Sequence, residues 1–262
     1  MSYENIKLER DGATARVTID RPEKLNALNH QTLVELGNAF DEVRDDDALR
    51  VLIVTGSGDK AFVAGADIGE LLAVAGQAEK AAELAAHGQS VMRKLDELGK
   101  PSIAMINGFA LGGGCELALA CTLRTASTSA RMGLPEVSLG IIPGYGGSQR
   151  LARIAGPGVA REWILTGGMF SADEAHRVGV VNRLFAPEEL EPGTQKLAQE
   201  MLSKGPIALR FGMQVILRGW DQPQSAGERM ETEYFGQASV TEDMREGMSA
   251  FLEKRKAEFQ GK

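Results

Sequence analysis

Hydrophobic and polar residues along the chain follow two periods, one typical of β-strands and one typical of α-helices. Residues 6–20 alternate apolar and polar side chains on either side of Asp11-Gly12, which is the pattern of a β-hairpin. Residues 31–43 and 77–98 carry apolar side chains at helical spacing, whereas residues 51–55 form an apolar run typical of a buried strand. Another strand is expected after Pro101. This alternation predicts an α/β fold of βαβ units with a largely parallel sheet and with sites at the carboxyl ends of its strands.

The second half of the chain changes from mixed to helical patterns. Residues 123–126 suit a short strand. Short helices are expected over residues 148–155, 160–166 and 172–178. Later helical patterns are broken at Gly205-Pro206 and Gln222-Pro223, with almost no strand signal. We therefore expect a core with the active site over residues 1–192 and a helical C-terminal subdomain over residues 193–262 that serves packing or oligomerisation.

Composition and charge limit the classes of partner. The 262 residues are 43% hydrophobic and 25% charged, as in ordinary globular proteins, and the formal net charge is -7. This net charge gives no electrostatic reason to expect nucleic acid or an anionic membrane as a partner. The N-terminal segment lacks the basic and apolar regions of a secretion signal, and no apolar run reaches the roughly 18 residues of a membrane span. We expect a soluble, cytoplasmic protein.

Cysteine and histidine residues do not predict a metal site. Cys115 and Cys121 lie in an apolar run whose spacing suits neither a disulfide framework nor a zinc site. His30, His87 and His176 have no Cys, Asp or His at ligand spacing. Walker, dinucleotide-binding and serine-hydrolase motifs are also not found in context. The expectation is an activity that uses neither a metal nor a redox cofactor.

Two glycine-containing turns are candidates for binding an anion through backbone N–H groups. Residues 112–114 are three adjacent glycines between a strand-like and a helix-like run, and residues 64–67 follow another apolar segment. Two converging N–H groups are the physical requirement for an oxyanion hole. Either turn by itself is equally consistent with a tight bend between a strand and a helix.

Two glutamates stand alone in apolar sequence. Glu116 follows the three glycines at an expected helix N-terminus, and Glu136 lies in a stretch rich in apolar, glycine and proline residues. Glu116 in that position would also be stabilised simply by the helix dipole. Burial of a carboxyl group costs free energy and raises its pKa toward the range useful for proton transfer. Two such acids beside two amide donors would suit proton transfer next to a carbonyl group that becomes enolate-like.

With these residues in place, the sequence resembles the crotonase superfamily, and more closely the enoyl-CoA hydratases. The resemblance covers nearly the whole chain in the family's order. The matching segments are Arg21-Pro22 with residues 26–28, residues 61–68, residues 107–108 with 112–118, residues 134–136, residues 139–144 with 146–151, and residues 251–255.

The resemblance implies a fold and an assembly. The fold is a crotonase-like spiral of ββα units that carries a thioester pocket. The helical C-terminal part would build a homotrimer, and two trimers would pair into a homohexamer. The substrate would be an acyl-CoA thioester, so coenzyme A enters as part of the substrate and not as a cofactor.

The resemblance also implies roles for four residues. The backbone N–H groups of Ala66 and Gly113 would bind the thioester oxygen and stabilise its negative charge in the transition state. Glu116 would orient and deprotonate water, and Glu136 would deliver a proton to the α-carbon. The reaction is the reversible syn addition of water to a 2-trans-enoyl-CoA, giving a 3-hydroxyacyl-CoA, in fatty-acid β-oxidation or related acyl-CoA metabolism.

Contacts to coenzyme A follow from the same resemblance. Seven residues are implied in binding the substrate, namely Lys24, Ala27, Ala64, Asp67, Ile68, Gly144 and Lys254, the last from a neighbouring subunit. The chain departs from the family's pattern at Gly69, where a lysine is common, and at Tyr145, where a small residue is usual. The first departure puts a phosphate contact in doubt, and the second reshapes the acyl pocket.

Two alternatives remain open at this point. Within the family, the chain would be an enoyl-CoA isomerase or a specialised 3-hydroxyacyl-CoA dehydratase. In another class, it would be a non-catalytic acyl-CoA-binding or assembly protein, since fold does not fix function. The presence of both Glu116 and Glu136 argues against a non-catalytic role, and relatives that only shift double bonds commonly lack the first acid.

Overall fold

The structure, a computed structural model, describes residues 3–262. Residues 1 and 2 lie outside the described part. They begin the N-terminal segment in which no secretion signal is predicted. Its strands are β1 (Ile6–Asp11), β2 (Thr14–Ile19), β3 (Val51–Gly56), β4 (Ala61–Val63), β5 (Ser102–Ile106), β6 (Phe109–Leu111), β7 (Leu123–Ser127), β8 (Arg131–Gly133), β9 (Phe170–Ser171) and β10 (Arg183–Phe185). Its helices are α1 (His30–Asp45), α2 (Ile68–Ala73), α3 (Ala78–Asp96), α4 (Gly113–Ala120), α5 (Gly147–Thr166), α6 (Ala172–Arg177), α7 (Leu190–Leu202), α8 (Pro206–Gly219), α9 (Gln224–Ser239) and α10 (Glu242–Glu253). Short 3-10 helices span Pro22–Lys24, Pro135–Leu139 and Pro187–Glu189.

The larger of two sheets has the strand order β1-β2-β3-β5-β7-β10. Strands β1 and β2 form the predicted hairpin and pair antiparallel, with Asp11 opposite Thr14. Every other pair in this sheet is parallel. The prediction of a hairpin followed by a largely parallel sheet is therefore confirmed.

The smaller sheet has the order β4-β6-β8-β9 and gives the fold its repeat. After each of β3, β5 and β7 in the larger sheet, the chain forms one short strand of the smaller sheet and then a helix. The three short strands β4, β6 and β8 pair in parallel, with one register shift between Ala61 and Val63, so successive ββα turns stack on one another. The mixed α/β spiral predicted from the resemblance is confirmed.

Apolar residues bury both faces of the larger sheet. Along β3, Leu52 and Val54 point into the main core, while Val51 and Ile53 join a second apolar cluster with Leu190 of α7. Because parallel strands need cover on both faces, this pattern explains why β3 and β5 are continuous apolar runs rather than alternating ones. Helix α7 is thus packed on the sheet that forms the core.

The two helices predicted over residues 148–155 and 160–166 are both present within α5, separated by a kink where Gly156 adopts φ 84° before Pro157. Other elements differ from their predicted form. A short strand, β6, separates β5 from the three glycines, and α2 follows the other glycine-containing turn. Strands of two or three residues have no measurable periodicity, so the smaller sheet gave no signal in the sequence.

The C-terminal segment that contains α8 to α10 exposes many large apolar side chains in the single chain. These are Ile216, Leu217, Trp220, Phe235, Met244, Met248, Phe251 and Leu252. An apolar surface of this kind fits the expected role in oligomerisation, which stays a prediction. The boundary at residues 192 and 193 also stays a prediction, and α7 begins at Leu190, three residues earlier. No helix within residues 3–262 is long and apolar enough to cross a bilayer.

The loop after β2 is held in place by one buried amide side chain. Asn26, only 1% exposed, has φ 59°, in the left-handed region that asparagine tolerates better than most residues. Its Nδ2 donates to the carbonyl oxygens of Ser57 at 2.9 Å and Ala61 at 2.8 Å, and its Oδ1 accepts from the Arg21 N–H at 3.0 Å. Asn26 therefore ties this loop to both ends of the β3–β4 connection.

We predict that Asn26→Ala lowers the free energy of unfolding by about 2–4 kcal/mol, because it removes three hydrogen bonds, a buried one to the Ala61 carbonyl oxygen and partly buried ones to Ser57 and Arg21. Asn38→Ala is the matched control, since Asn38 is exposed on α1 and should change stability by less than about 0.5 kcal/mol. Urea unfolding at one fixed protein concentration measures both. Equal effects of the two substitutions would contradict this role for Asn26.

Candidate active site

A cavity of about 1130 Å³ brings together the two glycine-containing turns and the two isolated glutamates. Its walls come from the turns after β4 and β6, the first turn of α4, the 3-10 helix Pro135–Leu139, the loop over residues 140–145, and helices α2 and α3. The site therefore forms at the carboxyl ends of the short strands, where each ββα turn passes from strand to helix.

Two backbone amides face each other across the two turns. The Ala66 nitrogen lies 3.5 Å from the position that a Cβ atom would take at Gly113. Leu28 fixes the first turn, since its N–H donates to the Gly65 carbonyl oxygen and its carbonyl oxygen accepts from the Asp67 N–H, each at 2.8 Å. Within residues 3–262, the N–H groups of Ala66 and Gly113 donate to no protein acceptor. Both line the cavity, so they are free to bind an oxyanion.

The Glu116 carboxylate is buried at the N-terminus of α5. Its Oε1 accepts hydrogen bonds from the Gly147 N–H at 2.7 Å and from the Tyr145 N–H at 2.8 Å. Gly147 is the first residue of α5, so the carboxylate also lies at the positive end of that helix dipole. The predicted position of Glu116 in the first turn of α4 is confirmed, but the helix that holds its carboxylate is a different one.

Opposing effects set the protonation of Glu116, whose residue is only 1% exposed. Burial raises its pKa to about 7, and the charge of Glu136 acts in the same direction. The two N–H bonds and the positive charge of Arg150 oppose that rise. The balance leaves a carboxyl group that gains and loses a proton near neutral pH, as a general base requires.

Glu136 reaches the same cavity from the 3-10 helix Pro135–Leu139. Its Oε1 lies 3.2 Å from the position that a Cβ atom would take at Gly112, which places the carboxyl group against the three glycines. Its Oε2 is buried without a hydrogen-bond partner in the described part of the chain. Burial raises the pKa of Glu136, and a hydrogen bond from its own backbone N–H opposes that rise.

Close packing explains why residue 147 is a glycine. A Cβ atom there would lie 2.8 Å from the Glu116 Cγ and 3.0 Å from its Oε1. Any larger residue would push the carboxylate away from the N–H groups that hold it. The glycine thus serves the position of Glu116 and not only the start of α5.

The residues expected to contact coenzyme A are distributed unevenly. Ala64, Ile68 and Gly144 line the cavity. Lys24, Ala27 and Asp67 do not line it: Lys24 ends the 3-10 helix Pro22–Lys24, and Ala27 and Asp67 lie in loops. Asp67 forms an ion pair with Arg21 at 3.5 Å. Lys254 follows α10 and does not line the cavity of its own chain.

Sequence reasoning missed much of the apolar wall. Leu71, Leu72 and Val74 belong to α2 or its end, and Leu84 and Ala85 belong to α3. The run over residues 68–75 was visible as an apolar segment, but it is too short to show helical periodicity. Tyr145, flagged as a departure from the family's pattern, is buried in this wall beside Glu116. Burial raises the pKa of its hydroxyl to about 12.

Histidines and cysteines form no further site in the described chain. His30 and His87 lie with ring centroids 4.9 Å apart, and both cysteines are buried as free thiols. No group of three or more His, Cys, Asp or Glu side chains within residues 3–262 is placed to hold a metal ion.

Comparison with known proteins places the chain in a family. The enoyl-CoA hydratase/isomerase family model matches residues 9–262. A protein of Syntrophomonas wolfei named crotonyl-CoA hydratase is 48% identical, with 99% of each chain covered. A short-chain-enoyl-CoA hydratase of Clostridium acetobutylicum is 44% identical, with 98% of each covered.

A solved structure agrees with these sequence matches. The crystal structure of an enoyl-CoA hydratase from Bacillus anthracis superposes with a TM-score of 0.94 at 38% identity, covering 99% of this chain and 100% of that one. Sequence and fold therefore agree over essentially the full length, and this chain belongs to the enoyl-CoA hydratase/isomerase family of the crotonase superfamily.

Proposed function

We propose that this chain is an enoyl-CoA hydratase, a hydro-lyase that adds water reversibly and with syn geometry to a 2-trans-enoyl-CoA, giving a 3-hydroxyacyl-CoA. Its full-length relatives named crotonyl-CoA hydratase and short-chain-enoyl-CoA hydratase support this substrate class. One observation carries the proposal: a buried carboxyl group, a partly buried carboxyl group and two free backbone N–H groups line a single cavity. Hydration needs an acid, a base and an oxyanion site at one carbonyl-conjugated double bond.

In this proposal, the N–H groups of Ala66 and Gly113 bind the thioester oxygen. Addition of hydroxide to the β-carbon moves electron density onto that oxygen, which becomes enolate-like. Preorganised amide donors stabilise this charge more in the transition state than in the ground state, and they therefore raise turnover. The Ala66 amide lies in a turn held by two hydrogen bonds to Leu28, and Gly113 is the first residue of α4, so both donors are positioned before the reaction.

Glu116 and Glu136 divide the proton transfers. Glu116, ionised, accepts a proton from water as the water oxygen bonds to the β-carbon. Glu136, protonated, gives its proton to the α-carbon as the enolate collapses. The structural basis for this division is that Glu116 accepts two N–H bonds that favour its ionised form, whereas the buried Oε2 of Glu136 has no partner within residues 3–262.

The acyl-CoA would run along the turn that carries the Ala66 amide. Ala64, Ile68 and Gly144 line the cavity and would contact the thioester arm. Lys24, Ala27 and Asp67 would contact coenzyme A, and Lys254 would do so from a neighbouring subunit of a homotrimer or homohexamer. The reaction as written is chemically complete with coenzyme A present only as part of the substrate.

We predict that Glu116→Gln and Glu136→Gln each lower kcat for hydration of a short 2-enoyl-CoA by about 10²–10⁴-fold, because each removes one proton-transfer group. Loss of absorbance of the conjugated thioester measures the rate. Glu9→Gln, an exposed glutamate on β1, is the matched control and should keep the wild-type rate. Rates within a few-fold of wild type in both active-site variants would refute the mechanism. Faster shifting of a 3-enoyl-CoA than hydration by wild type would instead favour an isomerase.

We predict that kcat/KM rises with pH. The rate should rise with an apparent pKa near 7, because Glu116 must be ionised and burial raises its pKa to about 7. Stopped-flow rates across the pH range test this. A rising limb centred near the ordinary carboxyl pKa of roughly 4.3 would contradict the assignment.

The raised pKa of Glu116 also predicts that its ionisation lowers the free energy of unfolding at alkaline pH. Between the unperturbed pKa of 4.5 and the folded value of about 7, the unfolded chain loses the Glu116 proton first, so the free energy of unfolding falls as pH rises. At pH 8 the cost amounts to roughly 3 kcal/mol. Glu116→Gln should therefore be more stable than wild type at pH 8, with the difference shrinking toward pH 5. A pH-independent difference in urea unfolding would refute this.

A further inference from the structure

The loop over residues 144–147 makes hydrogen bonds in two opposite directions. On one side, the N–H groups of Tyr145 and Gly147 donate to the Glu116 carboxylate. On the other side, the carbonyl oxygen of Tyr145 accepts a hydrogen bond from Arg150 Nη1 at 3.0 Å. The loop is therefore held between the active-site carboxylate and a guanidinium group in the first turn of α5.

The guanidinium is itself fixed by a carboxylate. Arg150 Nε lies 3.3 Å from Asp96 Oδ1, and Arg150 Nη2 donates to Asp96 Oδ2, so the pair is bidentate. Its side chains are only 18% and 23% exposed. Asp96 is the last residue of α3, and the pair thus joins the end of α3 to the start of α5. A bidentate, partly buried pair has a defined geometry that a surface pair lacks.

The backbone of the loop leaves room for this guanidinium. Gly146 has φ 100°, in the left-handed region, and a Cβ atom at residue 146 would collide with Arg150 Nη1. The glycine therefore serves both the turn of the loop and the approach of the arginine. Two neighbouring glycines thus make room for the two side chains that hold the loop: Gly146 lies against Arg150, and Gly147 lies against Glu116.

We propose that Asp96 and Arg150 are positioning residues for Glu116: Asp96 orients Arg150, Arg150 holds the carbonyl group of Tyr145, and the loop so fixed presents its N–H groups to the carboxylate. The proposal rests on the proposed function only in that Glu116 is taken as the base. Neither residue lines the cavity, so neither is expected to touch substrate.

Charge supports the same role. The titratable or charged groups that face Glu116 are Cys115 on its own helix, Glu136 on the 3-10 helix, Tyr145 in the loop and Arg150 on α5. Of these, only Arg150 favours the ionised form of the carboxyl group. Replacing Arg150 by a neutral residue should therefore move the Glu116 pKa upward, together with loosening the loop.

The test compares Arg150→Met, Arg150→Lys, Asp96→Asn and the double variant Asp96→Asn with Arg150→Met. The control is Arg153→Met, which removes an arginine one turn further along α5 that pairs with exposed Asp221. Rates are expressed per folded active site, so that loss of folded protein alone does not lower them.

Arg150→Met should lower kcat by about 10–100-fold with KM within about 3-fold of wild type, because a displaced base affects the transition state more than binding. The rising limb of its pH profile should move to higher pH. Arg150→Lys keeps the charge but not the bidentate geometry. Compared with Arg150→Met, it should therefore have a higher kcat and a rising limb closer to that of wild type. The double variant should be no slower than Arg150→Met, since the two residues act in one chain of contacts.

Two results would overturn the proposal. One is an Arg150→Met variant whose kcat per folded site and rising pH limb equal those of wild type, which would mean that the ion pair only stabilises the fold. The other is a double variant whose fold-loss in kcat equals the product of the fold-losses of the two single variants.

Failure of the proposed function is distinguishable, because wild type and Arg153→Met would then both lack hydration activity. Infrared titration of the Glu116 carboxyl band, assigned by subtracting Glu116→Gln, tests the positioning without any turnover. An upward shift of the titration midpoint in Arg150→Met supports the proposal, and an unchanged midpoint refutes it.

Discussion

Two N–H groups that donate to one oxygen of a buried carboxylate are the interaction on which the site depends. Burial alone would keep Glu116 protonated and without use as a base. The amides of Tyr145 and Gly147, at the positive end of α5, offset enough of that cost for the carboxyl group to titrate with a pKa of about 7. Without these contacts, the residue would be a neutral acid in an apolar wall.

The repeated ββα turn explains how distant segments meet there. Parallel pairing of β4, β6 and β8 stacks the strand-to-helix junctions, so the Ala66 amide, the Gly113 amide and Glu136 come from successive turns of the spiral. The apolar larger sheet, buried on both faces, supports these junctions. Under the proposed mechanism, the reacting groups are already positioned together when the double bond binds.

The two glutamates and the two glycine-containing turns could be identified from the sequence, but the contacts that determine their pKa and position could not. Glu116 and Glu136 were visible as lone acids in apolar sequence, and the hairpin and the longer helices were visible from periodicity, because these signals are local. The order of the family's motifs then indicated the spiral, as the fold comparison bears out.

The remaining features depend on contacts between distant segments. Asp96 and Arg150 are 54 residues apart, and each looks like an ordinary charge on a helix. The donors to Glu116 are backbone groups, which have no residue identity to recognise. The strands of the smaller sheet are too short for a periodic pattern, and the wall formed by α2 was not predicted for the same reason.

In the proposed mechanism, two carboxyl groups act on one double bond, and this determines which atoms of water enter the product and with which configuration. The most direct measurement is the isotopic composition of the 3-hydroxyacyl-CoA formed from a 2-trans-enoyl-CoA by wild-type protein in heavy water enriched in ¹⁸O, read by mass spectrometry and NMR. The account predicts one ¹⁸O at C3 and one deuterium at C2, in the single configuration that syn addition gives. Deuterium in both configurations at C2, deuterium at C4, or no ¹⁸O at C3 would contradict it.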